Sequence, residues 1–218
     1  YDADEVNALF AASKGSKLEL PILFGAFYGL RRSEAIGLKW DAIDFEHDTI
    51  TIRHTVTSCD LDGKRILVAS DTTKTKSSMR TLPLVPFVKE QLLALRKEQK
   101  ENRRLCGRSY NKEYLDYVCV NEIGDLIKPH YVTESFPKLL KANGFRPIRF
   151  HDLRHSCASL LLANGVSMKQ IQEWLGHSDF STTANIYAHL DYSSKLTSAD
   201  AMLSGLGINS PQCSPHSD

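Results

Sequence analysis

Apolar positions along the chain change their period several times, and each change marks an element. Val6, Leu9 and Phe10 recur at helical spacing behind Asp2 and Asp4, either of which can cap a first helix. Residues 18–28, LELPILFGAFY, are apolar almost throughout and predict a largely buried helix with Pro21 in its first turn. Gly29 breaks that run, and a short helix restarts over residues 32–38. The period then shortens. Thr49, Ile50, Thr51, Ile52, Arg53, His54, Thr55 and Val56 alternate β-branched with polar side chains and predict one strand. Asp62-Gly63, within residues 60–64, is turn chemistry. Residues 65–70 and 80–84 supply two more short strands, with residues 72–78 as the loop between them.

Pro86 reopens the helical period, and residues 86–104 form a long amphipathic pattern with Val88, Leu92, Leu93 and Leu95 apolar. Residues 117–120 read as a short strand before a turn at Gly124. Beyond His130 the pattern is helical over residues 131–142, 152–163, 168–175, 182–189 and 193–203. Asn164-Gly165 closes the second of these with the glycine expected after a helix. Residues 205–218 hold two prolines and little apolar content, and predict a tail without fixed structure. The expected fold is mainly α with a small antiparallel sheet of about three strands, without repeats or a two-domain split.

Composition narrows the class. With 218 residues, 42% of them hydrophobic and 24% charged, the chain can bury a sizeable core. Its longest apolar stretches are too short and interrupted to cross a bilayer, and its acidic opening, YDADE, is not a secretory signal. Five cysteines (Cys59, Cys106, Cys119, Cys157 and Cys213) are scattered and never form a C-x-x-C pair. That argues against a disulfide framework or zinc ribbon and for a reducing, cytoplasmic setting. The chain starts without an initiator Met, which points to a fragment or processed product. Residues 50–114 carry 14 Lys or Arg against 7 Asp or Glu, while the chain as a whole has 27 against 26. Such a basic middle fits a cationic face for nucleic acid, and equally the solvated side of a long helix.

The sharper chemistry begins at H-D-L-R-H, residues 151–155. On a helix His151, Arg154 and His155 share a face. A zinc site of the H-E-x-x-H kind is one reading, although Asp152 is one methylene shorter than the glutamate that serves there as base. An anion site, with Arg154 and His151 both donating to a phosphate, is the other. Three further segments bear on the choice. L-G-H at residues 175–177 is followed ten residues later by Tyr187 in A-N-I-Y-A-H. G-L-R-R-S-E sets Arg31 just past Gly29, and T-K-T-K-S-S-M-R sets Lys74 and Lys76 in the expected loop.

In residue type, order and spacing these four segments resemble the tyrosine recombinase (phage integrase) family, over about residues 3–204. The resemblance implies that fold's catalytic domain, with Tyr187 as nucleophile, Arg31 and Arg154 as the two arginines, and His151 preceding the second. His177 stands where the family has His or Trp, and Lys74 matches the β-hairpin lysine, with Lys76 close enough to compete for that role. Lys76 and Arg80 are expected to touch DNA. Cys157, where the family often has a small residue, is expected to be a core variant, and His155 a buried, hydrogen-bonded one. No metal or other cofactor is implied.

The chemistry supplies its own reasons for these types. Attack on a phosphodiester builds charge on the non-bridging oxygens, which two permanently charged guanidiniums can grip. A phenol with an ordinary pKa of about 10 needs a proton acceptor, for which His151 is the candidate. The departing 5′-oxygen needs a proton, which Lys74 could give. A phosphotyrosine conserves the bond, so a 5′-hydroxyl of another duplex can reseal it without ATP.

The expected function is therefore site-specific recombination or integration of DNA for a mobile element. The partners implied are double-stranded DNA at recombination sites, copies of the same chain in a tetrameric synaptic complex, and an accessory excision factor. Further DNA-binding domains are expected ahead of residue 1. Residues 193–203 are expected to pack either on a neighbouring protomer or on their own domain. A catalytically silent DNA-binding relative, and a zinc hydrolase using His151 and His155, remain the alternatives.

Overall fold

The computed structural model describes residues 1–71 and 79–176. Asp2 and Glu5 cap each other reciprocally, each side chain taking the other's backbone N–H at 2.9 Å, and so start α1 (Ala3–Ser13). Helix α2 (Glu19–Phe27) carries Pro21 in its first turn and buries Ile22, Leu23, Phe24 and Ala26. It packs against α1, against the short α3 (Arg32–Gly37) and against α6 (Asp152–Ala163), and so lies at the centre of the helical core. A 3-10 turn, Trp40–Ala42, leads into the strands.

The described residues form two sheets. Strands β1 (Ile43–Asp44), β2 (Thr49–Ile52) and β5 (Arg80–Pro83) form an antiparallel sheet in the order β1-β2-β5, with Ile50 opposite Leu82 and Ile52 opposite Arg80. Strands β3 (His54–Leu61) and β4 (Lys64–Asp71) form a separate hairpin, from His54↔Asp71 at its base to Leu61↔Lys64 at its tip. Asp62 and Gly63 close it with φ of 51° and 73°, the paired positive values that a two-residue hairpin turn requires.

The alternating run at residues 49–56 is thus two strands, not the single one its period suggests. The break is at Arg53, whose guanidinium turns to Asp41 at 2.8 Å. Beyond it, β3 leaves the first sheet to lie against α3, and Gly37 is what allows the approach. A Cβ there would stand 2.7 Å from Thr55 Cα and 2.8 Å from the His54 carbonyl oxygen. For the same reason β4 and β5, expected as neighbours, are not paired. Residues 117–120 form no strand, only isolated bridges between Lys39 and Tyr117 and between Val120 and Leu126.

Three more helices complete the described fold: α4 (Pro86–Cys106), α5 (Pro129–Ala142) and α7 (Met168–Leu175). Pro86 and Pro129 each stand in a first turn, where the missing N–H costs nothing. Val88 and Leu92 of α4 are buried, but Leu93 is exposed because its helical position faces outward. The core joins Leu9, Ile22, Phe24, Tyr28, Ile36, Ile50, Leu92, Phe136, Leu140 and Leu153, each at most 2% exposed. Burying such a side chain is worth roughly 1.5–3 kcal/mol. Among the described residues no helix is long and apolar enough to cross a membrane. The expected loop at residues 72–78, the helices at 182–189 and 193–203, and the tail at 205–218 lie outside the described residues.

Gly37→Ala should destabilise the fold by about 1–3 kcal/mol, because the first atoms its methyl meets are backbone. Urea unfolding measures it; an unchanged midpoint would show that α3 and β3 are not in the contact described.

Candidate active site

Gly29, which ends the α2 run, does two things. Its φ of +63° belongs to the left-handed region, and a Cβ there would stand 2.3 Å from Leu175 Cδ2. Its carbonyl is the second point: it accepts Arg154 Nη1–H at 2.6 Å, while the Leu175 carbonyl accepts Nη2–H at 2.6 Å. The Arg154 guanidinium is therefore oriented between the end of α2 and the end of α7, and the residue is 3% exposed. Burial, then the charge of Arg31, push its pKa down to about 9, which leaves it cationic at neutral pH.

Two residues beyond Gly29, Arg31 is the N-cap of α3. Glu34, in the first turn, reaches back to the Arg31 backbone N–H at 2.9 Å and takes Arg31 Nη1–H at 2.8 Å. The Arg31 side chain stays 41% exposed, so it can meet a ligand. Glu34 itself is 2% exposed and is gripped from the other side by Arg80, with Nη1 at 3.2 Å and Nη2 at 3.0 Å from its two oxygens. Arg80 Nε–H then donates to the Trp174 carbonyl at 2.9 Å. Burial pushes the Glu34 carboxyl up, but the hydrogen bonds and charge of Arg80, helped by Arg31, outweigh it and hold the pKa below its ordinary value.

Arg80 is a correction to the sequence reading. It was expected on the DNA-facing surface, yet its side chain is 6% exposed and committed to Glu34 and Trp174. Register explains why: Arg80 is the first residue of β5, opposite Ile52, and its burial pattern faces inward. Gly176 belongs to the same packing. It ends α7 with φ of +67°, and a Cβ there would stand 2.9 Å from Arg80 Cδ and Nη1. The Leu-Gly of L-G-H thus serves the arginines directly: Leu175 by its carbonyl, and Gly176 by leaving room.

His151 caps α6 one turn before Arg154 and is exposed. Burial of its ring, then the charges of His155, Arg154 and Arg31, hold its pKa below the ordinary histidine value, against an opposing pull from Asp152. That favours the neutral ring, which can accept a proton. His155 is half-buried, not the hydrogen-bonded core residue expected, and meets His151 edge-to-face at 5.4 Å between ring centres. Asp152, which a zinc reading would use as base, is engaged by Arg149 at 2.8 Å. Among the described residues no group of three or more His, Cys, Asp or Glu is arranged to hold a metal ion.

The surrounding residues serve mainly as packing. Cys157 Sγ–H points to the Phe27 carbonyl at 3.2 Å, and burial pushes the thiol up to about 12. Trp174 stacks on Tyr28 at 5.9 Å, and Trp40 Nε1–H donates to Gln99 at 3.1 Å. Arg32 turns to the Thr133 hydroxyl on α5. One arrangement escaped the sequence reading: His54 Nδ1 lies 2.7 Å from Asp71 Oδ1 and Nε2 lies 2.9 Å from Tyr117 Oη. Counting outward from the Asp62-Gly63 turn would have found the first contact, since it pairs position 54 with 71.

Arg154 thus bonds the Gly29 carbonyl, Arg31 lies two residues on, and the charges of both act on His151. Lys74, Lys76, His177 and Tyr187 lie outside the described residues. Arg31, Arg80 and Arg154 against Glu34 make three cations to one carboxylate, an excess suited to an anionic ligand.

Glu34→Gln should cost about 3–5 kcal/mol in urea unfolding, because it strips a buried partner from Arg80 and loosens the N-cap of α3. A depressed Glu34 pKa contributes stability above the unfolded value, lost as pH falls through the folded one. The variant should lose that part of the wild-type acid sensitivity, and parallel pH profiles would contradict this placement.

Comparison with known proteins came to the same region of the chain. Residues 1–194 match the model of the phage integrase family. A tyrosine recombinase XerC-like protein of Caldanaerobacter subterraneus subsp. tengcongensis is 35% identical over 199 residues, covering 87% of this chain and 50% of that protein. The ICEBs1 integrase of Bacillus subtilis is 29% identical over 177 residues, covering 78% of this chain and 45% of that protein. The chain thus spans about half the length of such relatives. In fold it is similar to the Tn1549 transposon integrase solved in complex with circular intermediate DNA, with a TM-score of 0.75 at 21% identity, covering 93% of this chain and 66% of that one. It is also similar to the XerA recombinase, with a TM-score of 0.64 at 22% identity, covering 94% of this chain and 64% of that one.

Proposed function

The chain belongs to the phage integrase family, and from that premise we propose that it is the strand-cleaving and strand-joining part of a site-specific DNA recombinase. The observation that carries the reading is the placement of exposed Arg31 and buried, oriented Arg154 beside a neutral His151, with an excess of cation around them. A scissile phosphate is the anion such a cluster suits.

The Tyr187 oxygen attacks phosphorus and its proton passes to a ring nitrogen of His151. Arg31 and Arg154 donate to the non-bridging oxygens, where charge accumulates, and their fixed charge needs no protonation step. The bond from phosphorus to the 5′-oxygen breaks, and Lys74 supplies the proton that lets this oxygen leave. His177 adds a further donor. The product is a 3′-phosphotyrosine; the 5′-hydroxyl of a second duplex attacks it to regenerate a phosphodiester, giving its proton to Lys74 while His151 returns its own to the departing Tyr187 oxygen. Every proton has a source and a sink within the chain, so no step calls for a metal ion or ATP.

The same premise supports double-stranded DNA as partner and a mobile element as the setting, since integrases of ICEBs1 and Tn1549 are among the proteins it is similar to. Site choice would draw on further domains, since the chain spans only part of both relatives, 45% of the first and 66% of the second. Strand exchange needs two cleaved duplexes at once, which fits a tetramer of such chains assembled on DNA in the bacterial cytoplasm. An excision factor would set its direction. Residues 193–203, with Leu196, Ala199 and Leu203 at helical spacing, suit packing on a neighbouring copy. Lys76 remains a candidate for backbone contact.

Incubation with a nicked suicide duplex should give a denaturation-resistant protein–DNA complex that persists in chelator and disappears in Tyr187→Phe. An adduct that survives the substitution would overturn the reading. Arg31→Lys keeps the charge but loses the forked donors, and should slow cleavage ~100-fold or more while DNA affinity changes little. Because the His151 pKa is depressed, its basic form persists below neutrality. The acid limb of the cleavage rate should therefore fall below about pH 6.5, the ordinary histidine value; a limb above it would exclude His151 as the base.

A further inference from the structure

Two charged residues, Asp71 and Arg80, flank residues 72–79 in the sequence, and only one of them belongs to the arginine cluster. At the far end stands Arg80, on Glu34 and the Trp174 carbonyl. At the near end stands Asp71, the last residue of β4, whose side chain is 71% exposed. Its Oδ1 nevertheless lies 2.7 Å from Nδ1 of His54, which is 8% exposed. The other ring nitrogen of His54 lies 2.9 Å from the hydroxyl of Tyr117, also 8% exposed.

Directionality follows from the groups. The Asp71 carboxylate can only accept, so Nδ1 carries the proton, and in the neutral ring Nε2 accepts the Tyr117 O–H. Tyr117 is fixed in turn: Lys39 Nζ stands 5.2 Å over its ring, Tyr114 meets it edge-on at 5.8 Å, and its backbone bridges Lys39. The row thus runs from the body of the domain to the last rung of the hairpin.

Stability alone is a poor reason for this row. An exposed carboxylate contributes little through an ion pair, typically ~0–1 kcal/mol, and an apolar side chain at position 54 would bury without needing partners. Geometry offers a better one. Toward its tip the hairpin has little hold on the core, with Leu61 57%, Ile66 39% and Val68 40% exposed, whereas His54 and Val56 are buried. The end of β4 is therefore fixed at the His54↔Asp71 rung.

We propose that His54 and Tyr117 are positioning residues for the leaving-group proton donor: they fix Asp71, the last described residue before Lys74, which lies three positions on in the sequence. This rests on the proposed role of Lys74. It assigns a purpose to a buried histidine and tyrosine that make no contact with the arginine cluster among the described residues.

The test uses the full chain and two suicide duplexes, one with the natural 5′-oxygen and one with sulfur at that bridging position. A thiolate leaves without being protonated, so the second duplex bypasses the proton donor. His54→Phe and Tyr117→Phe should cleave the natural duplex ~10–100-fold more slowly in single turnover, with DNA affinity unchanged. On the sulfur duplex both should return to near the wild-type rate, as Lys74→Ala does, while Arg31→Lys stays impaired. Tyr117→Phe removes one oxygen from a ring that keeps its packing, so it decides the matter if His54→Phe does not fold. Wild-type rates on the natural duplex, or a defect that persists on the sulfur duplex, would overturn the proposal. Absence of any wild-type adduct would instead overturn the recombinase reading itself.

Discussion

A single buried carboxylate organises the region where the chemistry is proposed. Glu34 is 2% exposed and makes four hydrogen bonds: two to Arg80, one to the Arg31 side chain and one to the Arg31 backbone. An ion taken out of water must be compensated this fully, because the desolvation penalty is several kcal/mol even after relaxation. Compensation here has a structural consequence. Glu34 lies in the first turn of α3, Arg80 starts β5 and Trp174 lies in the last turn of α7, so satisfying one charge joins three elements distant in sequence. Arg154 closes the arrangement through the carbonyls of Gly29 and Leu175.

The two arginines of the site consequently differ in kind. Arg154 is buried and oriented by carbonyls, which suits a group that must be aimed before the anion arrives. Arg31 is partly exposed and tethered by its own N-cap, which suits a group that meets the anion from the solvent side. With Arg80 spent on Glu34, the remaining positive charge is concentrated on these two. Preorganisation of that sort is where most electrostatic rate enhancement originates, since nothing needs to reorient as charge develops.

How much of this could be read in the sequence depended on whether the cause was local. The described helices were legible because apolar period, caps and prolines lie within a few residues of one another, as at Asp2, Pro86 and Gly165. Arg31, His151 and Arg154 were legible because their frames, G-L-R-R-S-E and H-D-L-R-H, keep the relevant neighbours adjacent. The split at Arg53 was not: it follows from α3 lying across β3, and Gly37 gives no hint of Thr55 until the two elements meet. Arg80 was misassigned for a similar reason, because its partner Glu34 is 46 residues away and only the sheet register turns it inward. The His54–Asp71 contact lies between these cases, recoverable from the turn at residues 62–63 once the hairpin is drawn.

The central claim is that Arg31 and Arg154 are held as they are in order to neutralise a phosphate. Single-turnover cleavage by wild type and Arg31→Ala tests it most directly, on a duplex with an ordinary scissile phosphate and on one bearing an uncharged methylphosphonate there. The account predicts a large loss in the variant on the phosphate and little difference between the two proteins on the methylphosphonate. An equal loss on both duplexes would mean that Arg31 serves the fold, and not the charge of the reacting group.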